Sequence, residues 1–323
     1  MDYLFLVLGL GLLLLSADFL VDSSVVIAQR AKISNFIIGL TIVGMGTSSP
    51  ELLVSISSAL TGSGDIALGN VVGSNIANIL LILGVSAVIL PFDIKQTTQR
   101  RDIPFSILAT LILLLLANDK QFLGVQENMV SRLDGIIFLM LFIAYIACIV
   151  FDKSGRQQER KQEADEAKSK FAGVKTALLW AIAIASLAGL IYGGMLFLES
   201  AKNLARAWGM SEAVIAITIV AVGTSLPELI TSIVASCKNN PQLALGNVLG
   251  SNVFNILFVL GLSATIKPLA LFNINMVDYI AMLAASLMTY LVVFTFGKHR
   301  FDRIEGIIFL LCYVGYTVQL LLR

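Results

Sequence analysis

"TIVGMGTSSPELLVSI" at residues 41–56 returns as "TIVAVGTSLPELITSI" at residues 218–233. "ALGNVVGSNIANILLILG" at 67–84 returns as "ALGNVLGSNVFNILFVLG" at 244–261. Both pairs share one offset of 177 residues without a gap, and about half the positions from 37 to 84 match their partners, far beyond chance for apolar sequence. The duplication reaches further. "RLDGIIFL" (132–139) matches "RIEGIIFL" (303–310), and "SADFLVDSS" (16–24) has a weak echo around "FLESA" (197–201). The chain is one unit written twice.

What the unit is follows from composition. The 323 residues are 57% hydrophobic and only 13% charged, where soluble domains carry roughly a quarter charged residues. Apolar stretches of about 20 residues recur throughout, the length that crosses a bilayer as a helix. Ten spans are expected, near 3–28, 36–60, 66–90, 102–119, 133–151, 174–200, 213–236, 242–266, 276–297 and 304–321. The first has no basic segment before it and is too long for a signal sequence, so it reads as span one. Residues 1–151 form the first five-helix unit and 174–323 the second. Between them, 152–173 is a charged linker ("DKSGRQQERKQEADEAKSKFA" at 152–172), too polar to cross. With the N-terminus outside, only Lys120, Arg132, Lys202, Arg206, Lys267 and Arg323 of the 22 basic residues stay outside. The positive-inside bias therefore puts both termini outside and the linker in the cytoplasm. Five is odd, so the second copy enters the bilayer upside down. The expected fold is an all-α polytopic membrane protein of ten transmembrane helices in two inverted-topology repeats, an arrangement typical of secondary transporters with sites near the midplane.

The composition also excludes. A net charge of +1 and no basic stripe interleaved with aromatics argue against nucleic acid. Cys148, Cys237 and Cys312 lie in or beside apolar segments at unrelated spacings and read as small hydrophobes. No H-E-x-x-H motif and no histidine or lysine base near the motif support an enzyme. No cofactor and no obligate protein partner is implied beyond the lipid bilayer itself.

The repeated motif carries the chemistry. Pro50 and Pro227 fall mid-span, each lacking an N–H and crowding the carbonyl four residues back, at Gly46 and Gly223. Gly44 and Gly46 loosen the same turn. Freed carbonyls in a membrane must be buried in protein or line a wet cavity. Thr47 and Glu51 share a helix face at i, i+4, and Ser48 borders Glu51 at i−3. Thr224, Ser225 and Glu228 repeat this. In the following helix Asn70, Ser74 and Asn78 make a polar stripe, repeated by Asn247, Ser251 and Asn255. Gly69/Gly73 and Gly246/Gly250 spell G-x-x-x-G and allow close helix approach. If inversion brings the two sets face to face, the result is a cage of carboxylate, hydroxyl, amide and carbonyl oxygens. Such a cage selects hard cations: calcium takes about six to eight oxygens, and sodium can use the same donors. Two carboxylates neutralise one divalent ion, and carrying them empty through the bilayer is costly, which favours exchange over uniport. Protons can compete with the metal.

The plainer readings stand beside these. Threonines in spans back-bond to their own helix, Ser74 and Ser251 can serve as packing residues, and Asn78 and Asn255 as interhelical hydrogen-bond glue. Asn70 and Asn247 read as glue or caps. Asp65 reads as a helix N-cap. Asp18, Asp22 and Glu199 reach water or pair with Lys202 or Arg30. His299 is a lone loop histidine. Buried glutamates in spans are functional by default.

The paired G-T-S-x-P-E and G-S-N-x-x-N blocks resemble the alpha-repeats of the sodium/calcium exchangers, within the calcium/cation antiporter superfamily. The resemblance covers all ten spans. It implies a sodium/calcium antiporter whose first and sixth helices slide to alternate access. It implies a calcium site made by Thr47, Glu51, Thr224 and Glu228. It implies flanking sodium sites using Ser48, Ser74, Ser225 and Ser251 with carbonyls at Gly44 and Ala221. The last position of the second G-S-N-x-x-N/D block is Asp in potassium-dependent relatives and in some prokaryotic members; here it is Asn255, matching Asn78, which argues against potassium co-transport. The short linker lacks an acidic calcium-sensing domain, so the chain resembles a compact prokaryotic member of an inner membrane. A calcium/proton antiporter with the same cage remains the alternative; an intramembrane hydrolase or a passive channel fits the doubled motif less well.

Overall fold

Lipid offers a backbone no hydrogen-bond partners, so apolar runs must satisfy their own amides as helices. The computed structural model describes residues 1–118, 128–151, 171, 173–210, 221–272, 275–295 and 299–322. Helix α1 (Asp2–Ala31) ends on Lys32 in the left-handed conformation. Helices α2 (Asn35–Thr47) and α3 (Ser49–Thr61) follow, bent by 45° at Ser48, then α4 (Gly64–Ile89). Strand β1 (Phe92–Asp93), helix α5 (Ile103–Leu116), strand β2 (Asn128–Val130) and helix α6 (Arg132–Phe151) complete the first part. The second part runs α7 (Thr176–Ala207), α8 (Ala221–Gly223), α9 (Leu226–Cys237), α10 (Pro241–Ile266), β3 (Leu269–Leu271), α11 (Met276–Leu291), β4 (Arg300–Phe301) and α12 (Arg303–Leu321).

Seven described helices are long and apolar enough to cross a membrane, and the bent pair α2–α3 makes an eighth. The protein is therefore an all-α polytopic membrane protein. The expected span at 102–119 corresponds to the shorter α5. The expected span at 213–236 runs through 211–220, outside the described residues; its later half is α9. Almost all of the linker 152–173 also lies outside them.

Helices α10 and α4 form the centre. Their apolar windows are 94% and 72% buried, against 17% for the peripheral α12. Helix α10 approaches α2 so closely that a Cβ on Gly246 would strike the Phe36 carbonyl and one on Gly250 the Leu40 carbonyl. The expected G-x-x-x-G seam is thus used in the second copy. Around Gly69 and Gly73 no described atom lies within 4 Å of such a Cβ; the matching partners, residues 213 and 217, lie outside the described residues. Helix α1 lies along α7, where a Cβ on Gly9 would meet the Phe197 nitrogen at 2.7 Å. The outer faces of both helices expose Leu4, Leu8, Leu15, Ile184 and Met195, side chains suited to hydrocarbon.

Two features were not expected from sequence. Short antiparallel ribbons join the two parts: β1 pairs with β4 (Phe92 opposite Phe301), and β2 with β3 (Val130 opposite Leu269). Wide π-type turns occupy Ala77–Leu83 and Phe254–Leu260, again 177 residues apart, just after the two G-S-N triplets. Such turns are rare and favour functional sites.

Several peripheral charges differ from expectation. Asp65 sits in the first turn of its helix, whose N-cap is Ser63, and its Oδ1 accepts from the Phe272 amide at 2.9 Å as β3 ends alongside. Glu199 pairs with Lys202 at 2.5 Å as expected. Asp18 and Asp22 meet Lys238, at 2.6 and 2.7 Å, because the end of α9 packs against α1. Arg30 donates to the Thr176 hydroxyl at 2.8 Å.

Candidate ion-binding site

The motif S-x-x-E spells a helix N-terminus, and the structure starts helices there. Ser48 (φ −80°, ψ 11°) and Ser225 (φ −87°, ψ 10°) take the same non-helical conformation and precede α3 and α9. Pro50 and Pro227 then sit in the first turn, where a missing N–H costs nothing. Glu51 and Glu228 follow in that same first turn, where the helix dipole favours a carboxylate. A serine three residues before a glutamate ordinarily caps its own helix. Neither serine does so here. Ser48 Oγ crosses to donate to Glu228 Oε1 at 2.9 Å, and Ser225 Oγ crosses to Glu51 Oε1 at 3.4 Å. The two acids, 177 residues apart in sequence, thus meet donors from each other's turn.

Both carboxylates are fully buried. Ser74 Oγ adds a bond to Glu51 Oε1 at 3.2 Å. Thr47 and Thr224 are buried in the same two turns. Oε2 of each glutamate is buried without a hydrogen-bond partner. Among the described residues no cluster of three or more acidic, histidine or cysteine side chains could hold a metal, so the charge of this site comes from two carboxylates.

Thr47 shows the back-bonding of the plainer reading. Its hydroxyl back-bonds to Val43 O at 3.0 Å and lies 3.2 Å from Asn247 Oδ1; a hydroxyl that donates keeps lone pairs for a cation. Ser251 Oγ donates to Gly44 O at 3.1 Å, placing those two expected ligands side by side. Ala221 is the first described residue of α8. The carbonyl that Pro50 frees, at Gly46, accepts from the hydroxyl of Ser49, the first residue of α3, at 2.8 Å. Asn70 and Asn247 are glue, as expected: Asn70 Nδ2 donates to Glu51 O and Ser55 Oγ, both at 3.2 Å, and Asn247 Nδ2 to Glu228 O at 3.2 Å and Ser232 Oγ at 2.9 Å. Each asparagine ties the backbone of a glutamate to the next helix.

Asn78 and Asn255 are buried between α4 and α10. Their amide nitrogens bond to Asn252 Oδ1 (3.0 Å) and Asn75 Oδ1 (3.2 Å), while their own Oδ1 atoms have no partner. Asn75 and Asn252 escaped the sequence reading. The signal was present, since each lies at i−3 from Asn78 or Asn255 and so on the same helix face.

Comparison with known proteins matches this arrangement. The model of the sodium/calcium exchanger protein family matches residues 1–151 and 178–322. The chain belongs to the sodium/calcium exchanger family. It is 30% identical to the sodium/calcium exchanger MaX1 of Methanosarcina acetivorans over 355 residues, covering 99% of this chain and 98% of that one. It is 37% identical over 269 residues to the inner membrane protein YrbG of Escherichia coli, covering 81% and 79% of the two chains. The solved structure of the sodium-calcium exchanger NCX_Mj superposes with a TM-score of 0.81 at 32% identity, covering 97% of this chain and 96% of that one. As a member of this family the chain is a transmembrane cation antiporter and not an enzyme.

Proposed function

We propose that this antiporter exchanges sodium for calcium by alternating access, with both ions held between two inverted five-helix halves, 1–151 and 174–323. The observation that carries the reading is the crossed pair Ser48–Glu228 and Ser225–Glu51, around two buried carboxylate oxygens that lack partners. Two negative charges match one calcium ion. Glu51, Glu228, Thr47 and Thr224 supply that ion's ligands. Ser48, Ser74, Ser225 and Ser251, with the Gly44 and Ala221 carbonyls, serve sodium, and Asn78 and Asn255 add neutral oxygens. The exchange of contacts between halves, in the serine–glutamate pairs, the strand pairs and the asparagines, supports the inverted duplication. The bound ions offset the like charges of the two acids, so the closed, mobile state is favoured only when loaded, which makes the cycle an exchange. The protein sits in a prokaryotic plasma membrane with both termini outside and the linker in the cytoplasm.

Reconstitution into sodium-loaded vesicles tests this. Radiocalcium uptake should depend on the outward sodium gradient and vanish without it. Uptake driven by a pH gradient in sodium-free vesicles would replace sodium with protons as the coupling ion. Uptake that shows no stimulation by ions on the opposite side would indicate a channel.

A further inference from the structure

Resting on the reading of Asn78 and Asn255 as ion ligands, we infer that Asn75 and Asn252 are positioning residues that fix which end of those two amides faces the ion. An amide is ambivalent: one end repels a cation and the other binds it. Here donor and acceptor logic removes the ambiguity. Asn252 Nδ2 reaches the backbone carbonyl of Asn75 at 3.5 Å, and Asn75 Nδ2 reaches the carbonyl of Asn252 at 3.2 Å. A carbonyl only accepts, so both residues must present their NH2 groups there. Their Oδ1 atoms then face the next asparagines and need donors. Asn78 and Asn255 must answer with NH2, at 3.0 and 3.2 Å. What remains of each is an oxygen, buried and unpartnered. Four asparagines at the crossing of α4 and α10 therefore form a reciprocal lock whose two free ends are both acceptors. All four are at most 1% exposed, so bulk water does not reorient them. Asn78 and Asn255 lie within the wide turns that begin at Ala77 and Phe254.

The inference separates Asn75 and Asn252 from residues that merely pack. Asn75→Leu removes the acceptor that orients Asn255 and lets that amide turn its NH2 to the cation. In reconstituted vesicles the half-saturating concentration of at least one of sodium and calcium should rise roughly tenfold or more, the scale of one hydrogen bond to a charge, with the maximal rate changing less. Asn255→Asp supplies the rescue, because a carboxylate is an acceptor at both ends. In that background the Asn75 oxygen has lost its donor and faces a carboxylate, so Asn75→Leu should leave the same constant unchanged or lower it, a non-additivity that contacting residues with a shared role display. Equal fold-changes in the two backgrounds, or no effect of Asn75→Leu on its own, would overturn the positioning role. If Asn255→Leu left both ion constants unchanged, the ligand reading would fail instead. Should Asn75→Leu not insert as a monodisperse protein, Asn252→Leu with Asn78→Asp runs the mirror cycle, and Asn75→Ala the gentler one.

Discussion

Ser48 and Ser49 are neighbours in the same motif, and the structure gives them unrelated tasks. Ser48 Oγ is buried and donates to Glu228 Oε1 at 2.9 Å. Ser49 Oγ donates to Gly46 O at 2.8 Å, the carbonyl that Pro50 leaves without its helical partner. Replacing Ser48 with alanine removes a hydroxyl from a buried charge, a contact worth about 1.5–3 kcal/mol. If that hydroxyl ligates sodium, the sodium needed for half-maximal exchange rises by roughly tenfold or more. Calcium, drawn chiefly by the two carboxylates, should need less than about a threefold increase, under 1 kcal/mol. Replacing Ser49 strips a neutral bond worth about 1 kcal/mol. Its cost should appear as a lower melting temperature, with both ion constants within about twofold of the parent. The assay is radiocalcium flux in proteoliposomes, titrated separately with each ion, alongside thermal melting of the purified variants. Equal shifts in the sodium and calcium constants of Ser48→Ala would remove the case for a separate sodium subsite at that hydroxyl. Ion constants as damaged in Ser49→Ala as in Ser48→Ala would refute the division of labour altogether.

Glu51→Gln and Glu228→Gln should each abolish calcium uptake while the protein stays monodisperse, since the amide keeps the shape and loses one of the two charges; uptake retained in either would show that the acids do not hold the ion together. Asn247→Ala breaks ties to Glu228 O, Ser232 and Thr47 and should destabilise by about 1–3 kcal/mol, read as a fall in melting temperature that Asn247→Asp only partly restores. Gly250→Ala drives a Cβ into the Leu40 carbonyl, so α10 must part from α2; melting should drop by an amount equivalent to about 1–3 kcal/mol, whereas Gly11→Ala, with open space around it, should leave melting unchanged.

Hydropathy and the 177-residue repeat made most of the architecture legible, because lipid leaves an apolar run few alternatives to a spanning helix. The break at Ser48 and Ser225 was legible too, from proline chemistry. The direction of the hydrogen bonds was not. S-x-x-E reads locally as a self-capping turn, and only tertiary placement redirects each serine to the other glutamate. The Gly46 carbonyl that proline frees accepts from the Ser49 hydroxyl, a partner that the proline signal alone does not reveal. Asn75 and Asn252 stand one row away from the i, i+4 stripe of Asn70, Ser74 and Asn78, and the π-type turns that follow them have no sequence signature in the apolar runs that form them. The ribbons β1–β4 and β2–β3 involve two or three residues each, too few for alternation to register.

On the proposed reading, the crossed serines also explain why a duplicated chain makes one site and not two. Were each serine to cap its own helix, each turn would be self-sufficient, and the two copies would hold separate, singly charged pockets. Sending Ser48 to Glu228 and Ser225 to Glu51 leaves neither turn complete without the other. The lock of Asn75, Asn78, Asn252 and Asn255 repeats the rule one helix further along, with every amide bond in it running between α4 and α10. A site whose ligands are divided in this way must change when the two parts move relative to each other. Conversely, an ion that draws both sets of ligands together favours the arrangement in which they meet. Ion occupancy and conformation are then linked through the same bonds, which is the physical requirement for an antiporter.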